Sequence, residues 1–188
     1  RIEAYGDLTR RYRDGLRLGG IPTNGRINPN GRANATTMNP LTATSKGAAT
    51  RDAIIDKAYE IARFTGIEGL SIGPLAQAAG VSKSGVFAHF GSREDLQLAV
   101  LESAGMRFGE FVLGAALSQP RGLPRLRAMK RNWFEWGRME TGGCVLVASV
   151  SEFDDRPGPV RDQVVRNGRR WRQELQRAAQ LAIDCGHL

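Results

Sequence analysis

The chain has 188 residues, of which 41% are hydrophobic and 24% are charged, and its formal net charge is +8. This length allows one domain or two small ones, and no apolar run reaches the ~18 residues that a membrane span needs. Two cysteines and two histidines, far apart in the sequence, exclude a disulfide framework and predict neither a metal site nor a cofactor. The first residues lack the apolar core of a signal peptide, which predicts a cytoplasmic protein without a membrane partner.

Residues 1–49 are rich in Gly, Pro, Asn and Thr and show no apolar periodicity, so we predict that they are disordered or a non-native extension. The first methionine, Met38, lies just ahead of the first helical pattern. This favours the interpretation that residues 1–37 are upstream sequence or an added extension. The alternative is a genuine basic arm that follows DNA phosphates.

Two helices are predicted next. The first begins at Thr50, a possible N-cap, and ends at Gly66, which can take the left-handed conformation of a C′ residue. The second is capped by Ser71 and ends at Gly80. The apolar face of the first helix comprises Ile54, Ala58, Ile61 and Ala62, at helical spacing.

The stretch GVSKSGVFAHFGSREDL, residues 80–96, predicts a third, short helix after a tight glycine turn. Ser82 caps it, Val86 and Phe90 face the core, and Lys83, Ser84 and Gly85 crowd its N-terminal end. Two short helices joined by such a turn are typical of a helix-turn-helix, whose second helix needs small or polar outer residues to enter the major groove. The alternative is an ordinary helical hairpin with a solvated polar face.

The rest of the chain also reads as helical. Ser92 and Asp95 form a capping box that begins a helix reaching Leu117, long enough to belong to two structural units. A helix follows around residues 121–140, and another begins near Pro159. Residues 144–153, CVLVASVSEF, fit a strand or a buried helix by periodicity alone, and we assign a helix because the neighbouring segments are helical.

Several residues of the second half invite a functional interpretation. An apolar stripe could be plain core or could line an effector pocket; its members are Met129, Trp133, Trp136, Met139 and Phe153. Cys144 has no adjacent Lys or His to lower its pKa, so we do not expect a redox switch. His187, near the end of the chain, is predicted to have no role.

The region from Thr50 to Val100 closely resembles the DNA-binding domain of TetR-family transcriptional regulators. The resemblance rests on GIEGLSIGPLAQAAGVSKSGVFAHFGSRED, which contains L-A-x-x-A-G-V-S, then F-x-H-F and a Ser-Arg-Glu start to the fourth helix. It implies an all-α fold: a three-helix helix-turn-helix domain at 50–96 and a helical effector-binding and dimerisation domain at 97–188. The family also implies one further C-terminal helix, so the chain is expected to be truncated.

The resemblance also implies the DNA contacts. Ser71 would cap the second helix beside a phosphate, and His89 and Arg93 would bind phosphates. Lys83, Ser84 and Gly85 would face base edges or the nearest backbone. One departure concerns Phe87, where many relatives have a tyrosine whose hydroxyl binds a phosphate. The candidate DNA-binding residues are therefore Ser71, Ser82, Lys83, Ser84, Gly85, Phe87, His89 and Arg93.

The function implied is that of a ligand-responsive transcriptional repressor. It would bind a palindromic double-stranded DNA operator as a homodimer and be released by a small apolar effector. The alternative is a ligand-binding helical dimer that has lost sequence-specific DNA binding, because Gly85 and Phe87 offer little direct readout. An enzyme is not expected, since no nucleophile–base pair and no phosphate-binding loop appears in the sequence.

Overall fold

The computed structural model describes residues 41–188, and side chains from residue 47 onward. The interpretations of residues 1–37 lie outside the described part of the chain, as does the prediction of disorder for residues 1–40. Residues 41–49, which the same prediction included, lie in a helix. Arg51–Leu188 forms one compact unit, and the packing described below is within it. Residues 41–188 contain α-helices and one π-helical segment but no strand, which confirms the all-α prediction.

The helices follow one another through short connections. Their bounds are α1 Leu41–Thr65, α2 Ile72–Ala78, α3 Lys83–Phe90, α4 Arg93–Gly109, α5 Leu123–Met139, α6 Val145–Glu152 and α7 Pro159–Asp184. The assignment of residues 144–153 to a helix is confirmed by α6. The predicted start of α1 is wrong, because α1 begins at Leu41, nine residues before Thr50. Residues 41–50 hold no proline and are rich in Ala, so nothing in them stops the helix.

The turn between α2 and α3 is built as its residues predict. Gly80 has a φ of +66°, and the amide of Val81 donates to the carbonyl of Ala76 at 3.0 Å. The Ser82 hydroxyl then caps α3 by accepting from the Gly85 amide at 3.0 Å. At the start of α4 the hydroxyl of Ser92 accepts from the Asp95 amide at 3.0 Å, and it donates to the Asp95 carboxylate at 2.6 Å.

A continuous apolar core connects the first three helices with the second half of the chain. Its members are Ile54, Ile55, Ala58, Tyr59, Ala62, Ile67, Leu70, Leu75, Ala76, Val86, Phe90, Leu96, Ala99, Val100, Leu101, Ala104, Val145, Phe153 and Val160. A second, smaller cluster contains Ala116, Ala128, Met129 and Ala178. Helix α4 supplies buried residues from Leu96 to Ala104 to the first core, so it positions the helix-turn-helix on α6 and α7.

The fourth helix departs from the uninterrupted helix that was expected up to Leu117. Helix α4 ends at Gly109, and Glu110–Gly114 form a π-helical segment. A π-helical segment has more residues per turn than an α-helix and is frequently found at functional sites. Its first residue, Glu110, and Val112 are buried.

The prediction that His187 has no role is wrong. Its Nδ1 accepts a hydrogen bond of 3.1 Å from the amide of Leu123, the first residue of α5. The N-cap of α5 is Gly122, which has no side chain to satisfy these amides. The imidazole therefore supplies the acceptor that the cap position lacks.

Candidate nucleic-acid interface and effector region

Helix α3 has one buried and one exposed face. Val86 and Phe90 are buried four residues apart, while Lys83, Ser84 and Phe87 are exposed. Side chains four apart lie on the same face of a helix, so these apolar residues fix α3 to the core by one side. The opposite side is left for a partner, as a recognition helix requires.

Lys83 does not extend beyond the tip of α3 but lies back across α2. A Cβ atom on Gly73, the second residue of α2, would be 3.4 Å from Lys83 Cε and 3.7 Å from its Nζ. Ser71 is the exposed N-cap of α2, and its hydroxyl makes no capping hydrogen bond. An ammonium and a hydroxyl therefore lie near the start of α2, which favours phosphate binding over base reading for Lys83.

The other residues at the start of α3 bind one another. The Ser82 hydroxyl lies 3.0 Å from that of Ser84 and also accepts from the Gly85 amide. A Cβ atom on Gly85 would approach the Ser82 hydroxyl to 3.2 Å. Ser82, Ser84 and Gly85 thus have short or no side chains, which allows the start of α3 to approach a groove closely.

Phe87 is 46% exposed, so it does not fill the core. His89 is half-buried with its ring 6.4 Å from that of Phe90. A neighbour that the sequence analysis did not identify is Arg51, whose guanidinium lies over the Phe90 ring at 5.0 Å. Arg51 is exposed and lies on α1, two helices before α3, so nothing in the sequence indicated its contact with the end of α3.

Arg93 is engaged within the protein. Its Nε donates to the carbonyl of Leu70 at 2.9 Å, and its terminal nitrogen donates to the carbonyl of Glu68. The Glu68 carboxylate also lies 3.2 Å from Arg156 in the loop before α7. The Arg93 guanidinium thus fixes the connection between α1 and α2 to α4. A phosphate contact by Arg93 stays a prediction.

The five residues of the predicted effector stripe are not brought into one site. Met129 belongs to the second cluster and Phe153 to the first, whereas Met139 is exposed. Trp133 and Trp136 join a chain of contacting rings with residues that the stripe omitted. The centroid distances are 5.7 Å for Phe111–Trp136, 5.8 Å for Phe108–Trp136, 5.0 Å for Phe108–Trp171 and 5.4 Å for Trp133–Trp171.

Glu110 lies within one helical turn of two of these rings, those of Phe108 and Phe111. It is only 7% exposed, and its Oε1 has no hydrogen-bond partner. Burial raises the pKa of the Glu110 carboxyl, and the charge of Arg107 partly offsets this. The sequence offered no signal for it, because a glutamate in a long helix is normally solvated.

No helix among the described residues is long and apolar enough to cross a membrane. The same part of the chain contains no group of three or more His, Cys, Asp or Glu residues that could hold a metal ion.

Comparisons with known proteins agree with this geometry. Residues 54–100 match the family model of bacterial regulatory proteins of the tetR family. Residues 122–188 match that of the tetracyclin repressor-like C-terminal domain. Together the two matches span more than half of the chain. Comparison with curated proteins gives no match.

Two solved structures are similar to the protein. One is a TetR transcriptional regulator from Chloroflexus aurantiacus J-10-FL, with 24% identity, a TM-score of 0.69, and coverage of 76% of this chain and 73% of that chain. The other is a TetR-family transcriptional regulator from Streptomyces coelicolor, with 26% identity, a TM-score of 0.59, and coverage of 71% and 68%. The N-terminal family model matches residues 54–100 and the C-terminal domain model matches residues 122–188. The chain therefore belongs to the TetR family and is a transcriptional regulator rather than an enzyme.

Proposed function

We propose that the protein is a ligand-responsive repressor that binds a palindromic DNA operator as a homodimer. The observation that carries this proposal is the exposed polar face of α3, fixed to the core by Val86 and Phe90. The Ser71 hydroxyl and the end of the Lys83 side chain both lie near the start of α2, where they would bind a phosphate. A repressor of this kind would act in the cytoplasm.

A single short helix reads few base pairs, so useful specificity needs two copies on successive turns of DNA, about 34–36 Å apart. The second half exposes apolar side chains that a partner would cover: Val147 and Val150 on α6 are 66% and 55% exposed, and Ile183 on α7 is 51% exposed. Helices α6 and α7 pack together, so these residues lie on neighbouring elements. We therefore place the dimer contact on α6 and α7.

Effector control would pass through α4. This helix shares the first core with the helix-turn-helix and continues through the π-helical segment to the aromatic rings around Trp136. A ligand among these rings that tilts α4 would change the separation of the two recognition helices. To change operator occupancy from nearly full to nearly empty, the ligand must bind the released form of the protein ~10⁴-fold more tightly than the DNA-bound form.

The alternative, a helical dimer that no longer reads DNA sequence, is favoured by one observation. Gly85 gives the recognition helix no side chain at a central position, and Phe87 has no hydroxyl. Direct base contacts would then be few, and specificity would depend on DNA shape.

Operator binding separates the two functions. We expect the protein to bind a palindromic fragment from upstream of its own gene at least ~10³-fold more tightly than random duplex DNA of equal length, with two chains per duplex. Gel shift at a fixed salt concentration measures the ratio, and sedimentation of the complex gives the stoichiometry. Equal affinity for both duplexes would contradict the repressor and support the alternative.

Lys83→Ala tests the contact itself. Because the ammonium lies at the start of α2, we expect weaker binding to operator and random DNA alike, with the slope of log Kd against log salt reduced by about one. The matched control is Lys130→Ala, which removes the same charge from an exposed position on α5. A loss confined to one base pair of the operator would instead assign Lys83 to base reading.

A further inference from the structure

The connection between α1 and α2, residues 66–71, is held in place by side chains of other helices. Gln97 on α4 donates from its Nε2 to the carbonyl of Ile67 at 3.0 Å. Arg93, at the start of the same helix, donates from its Nε to the carbonyl of Leu70 at 2.9 Å. The side chains of Ile67 and Leu70 are also fully buried. Helix α4 therefore fixes both buried residues of this short segment through their backbone carbonyls.

A further contact to the connection comes from the second half of the chain. The carboxylate of Glu152, the last residue of α6, accepts from the Glu68 amide at 3.0 Å. The Glu68 carboxylate in turn lies 3.2 Å from Arg156, in the loop before α7. Because α6 and that loop belong to the C-terminal half, these contacts tie the middle of the connection to the part of the protein that does not touch DNA in the proposed complex.

The residue that follows the connection belongs to the proposed phosphate contact. Ser71 is joined to Leu70 by a peptide bond, so any displacement of the connection moves Ser71 with it. The Ser71 hydroxyl is exposed and makes no capping hydrogen bond, which leaves it available to a phosphate. Hydrogen bonds to oxygen need donor–acceptor distances of about 2.5–3.2 Å, so a shift of about 1 Å is enough to lose this contact.

Glu152 itself cannot favour DNA binding by direct contact. A carboxylate and a phosphate carry charges of the same sign and repel each other. Any favourable effect of Glu152 on DNA affinity must therefore act through the position of the groups it holds. This gives the position of Glu152 a test with a clear sign, since loss of its charge and loss of its hydrogen bond change DNA affinity in opposite directions.

We propose that Glu152 is a positioning residue for DNA binding: by holding the Glu68 amide, it keeps the Ser71 hydroxyl where it contacts a phosphate. The inference rests on the proposed function for the phosphate contact, and it adds the residue of the C-terminal half that controls it. Helix α6 thereby has a route to the DNA that does not pass through the tilt of α4.

The test measures binding of the full chain to random duplex DNA and to the upstream palindrome at one salt concentration. Glu152→Ala removes a negative charge, yet we expect it to weaken binding to both duplexes by about 10-fold, the size of a lost hydrogen bond to a charged group. Glu152→Gln keeps an oxygen that can accept from the Glu68 amide, so its affinity should stay within about 3-fold of the wild type.

The matched control is Asp155→Ala, which removes the same charge from an exposed position in the loop after α6. It should bind DNA as tightly as the wild type or more tightly, because only the charge is lost. Weakening of the same size in Asp155→Ala and Glu152→Ala overturns the inference.

Ser71→Ala distinguishes positioning from a loss of stability. If Glu152 acts through Ser71, adding Glu152→Ala to Ser71→Ala should weaken binding by less than about 3-fold further, since coupled residues are not additive. Thermal unfolding sets a temperature at which every variant is folded, and affinities are measured there. Unchanged DNA affinity in Glu152→Ala, or an equal loss with and without the Ser71 hydroxyl, overturns the inference.

The two duplexes separate this inference from the proposed function, because phosphate contacts do not depend on sequence. If the wild type binds both duplexes equally and Glu152→Ala weakens both, the positioning role stands and the repressor is wrong. If the wild type prefers the palindrome and Glu152→Ala binds it as tightly as the wild type, the repressor stands and the role of Glu152 is wrong.

Discussion

Replacing Glu140 by alanine is expected to destabilise the protein by about 3 kcal/mol, because breaking a buried ion pair leaves its partner charge uncompensated. Glu140 is the C-cap of α5, and its Oε2 accepts from the Tyr59 hydroxyl on α1 at 2.8 Å. The same oxygen lies 3.0 Å from Arg63 Nε, and the two side chains of this pair are only 11% and 21% exposed. In the alanine variant the Tyr59 hydroxyl and the Arg63 guanidinium lose this partner and remain largely shielded from water. Urea unfolding measures the change in free energy.

The control for this prediction is Glu60→Ala, on α1. Glu60 pairs with Lys57 at 2.8 Å, but both side chains are about half exposed. Exposed pairs of this kind contribute little to stability, so the urea unfolding curve should hardly move. A loss of similar size in the two variants would show that the Tyr59–Arg63–Glu140 contact does not hold α1 on α5.

Gly66→Ala is expected to cost about 3 kcal/mol, by two mechanisms. Gly66 has a φ of +74°, which costs a residue with a Cβ roughly 1–2 kcal/mol. The new Cβ would also overlap the Glu152 carboxylate, which accepts from the Glu68 amide at 3.0 Å. Moving Glu152 away removes that charged hydrogen bond, for roughly 1.5 kcal/mol more. Chemical unfolding again gives the difference.

Gly80→Ala separates the two mechanisms. Gly80 has a similar φ of +66°, but no atom lies within 4 Å of the position of its Cβ. It should therefore lose the backbone part alone, about 1–2 kcal/mol. In a Glu152→Ala background the cost of Gly66→Ala should fall to that of Gly80→Ala. An unchanged cost there would mean that Glu152 does not tie the α1–α2 connection to α6.

The features that the sequence predicts well are those whose determinants lie within a few residues. The cap at Ser82, the turn at Gly80 and the buried pair Val86 and Phe90 all follow from local spacing, and the structure confirms them. The same local reasoning misplaced the start of α1, because Thr50 is a good N-cap residue inside a segment that favours helix before it as well. A possible N-cap residue therefore does not mark the start of a helix when the residues before it are also helical.

The features that the sequence did not predict depend on residues far apart in the chain. Tyr59 and Glu140 are 81 positions apart, and Leu123 and His187 are 64 apart. Its place at the start of a helix predicts that Arg93 binds a phosphate. Its guanidinium instead donates to the carbonyls of Glu68 and Leu70, which come close to it only when the chain folds. Likewise, nothing in the sequence around Glu110 distinguishes it from a solvated glutamate until the packing of α4 is known.

The uninterrupted core from α1 to Val160 also bears on protein engineering. Exchanging residues 50–96 for the corresponding segment of a relative would place the junction within α4. It would replace Leu96 but keep Val100 and Leu101, which pack in the same cluster. A chimaera with a new operator specificity must therefore carry over the matching residues of α4 and α6, or change only the outward positions of α3. Altering Lys83, Ser84 and Phe87 alone leaves every core contact in place, so retargeting is simplest at these three exposed positions.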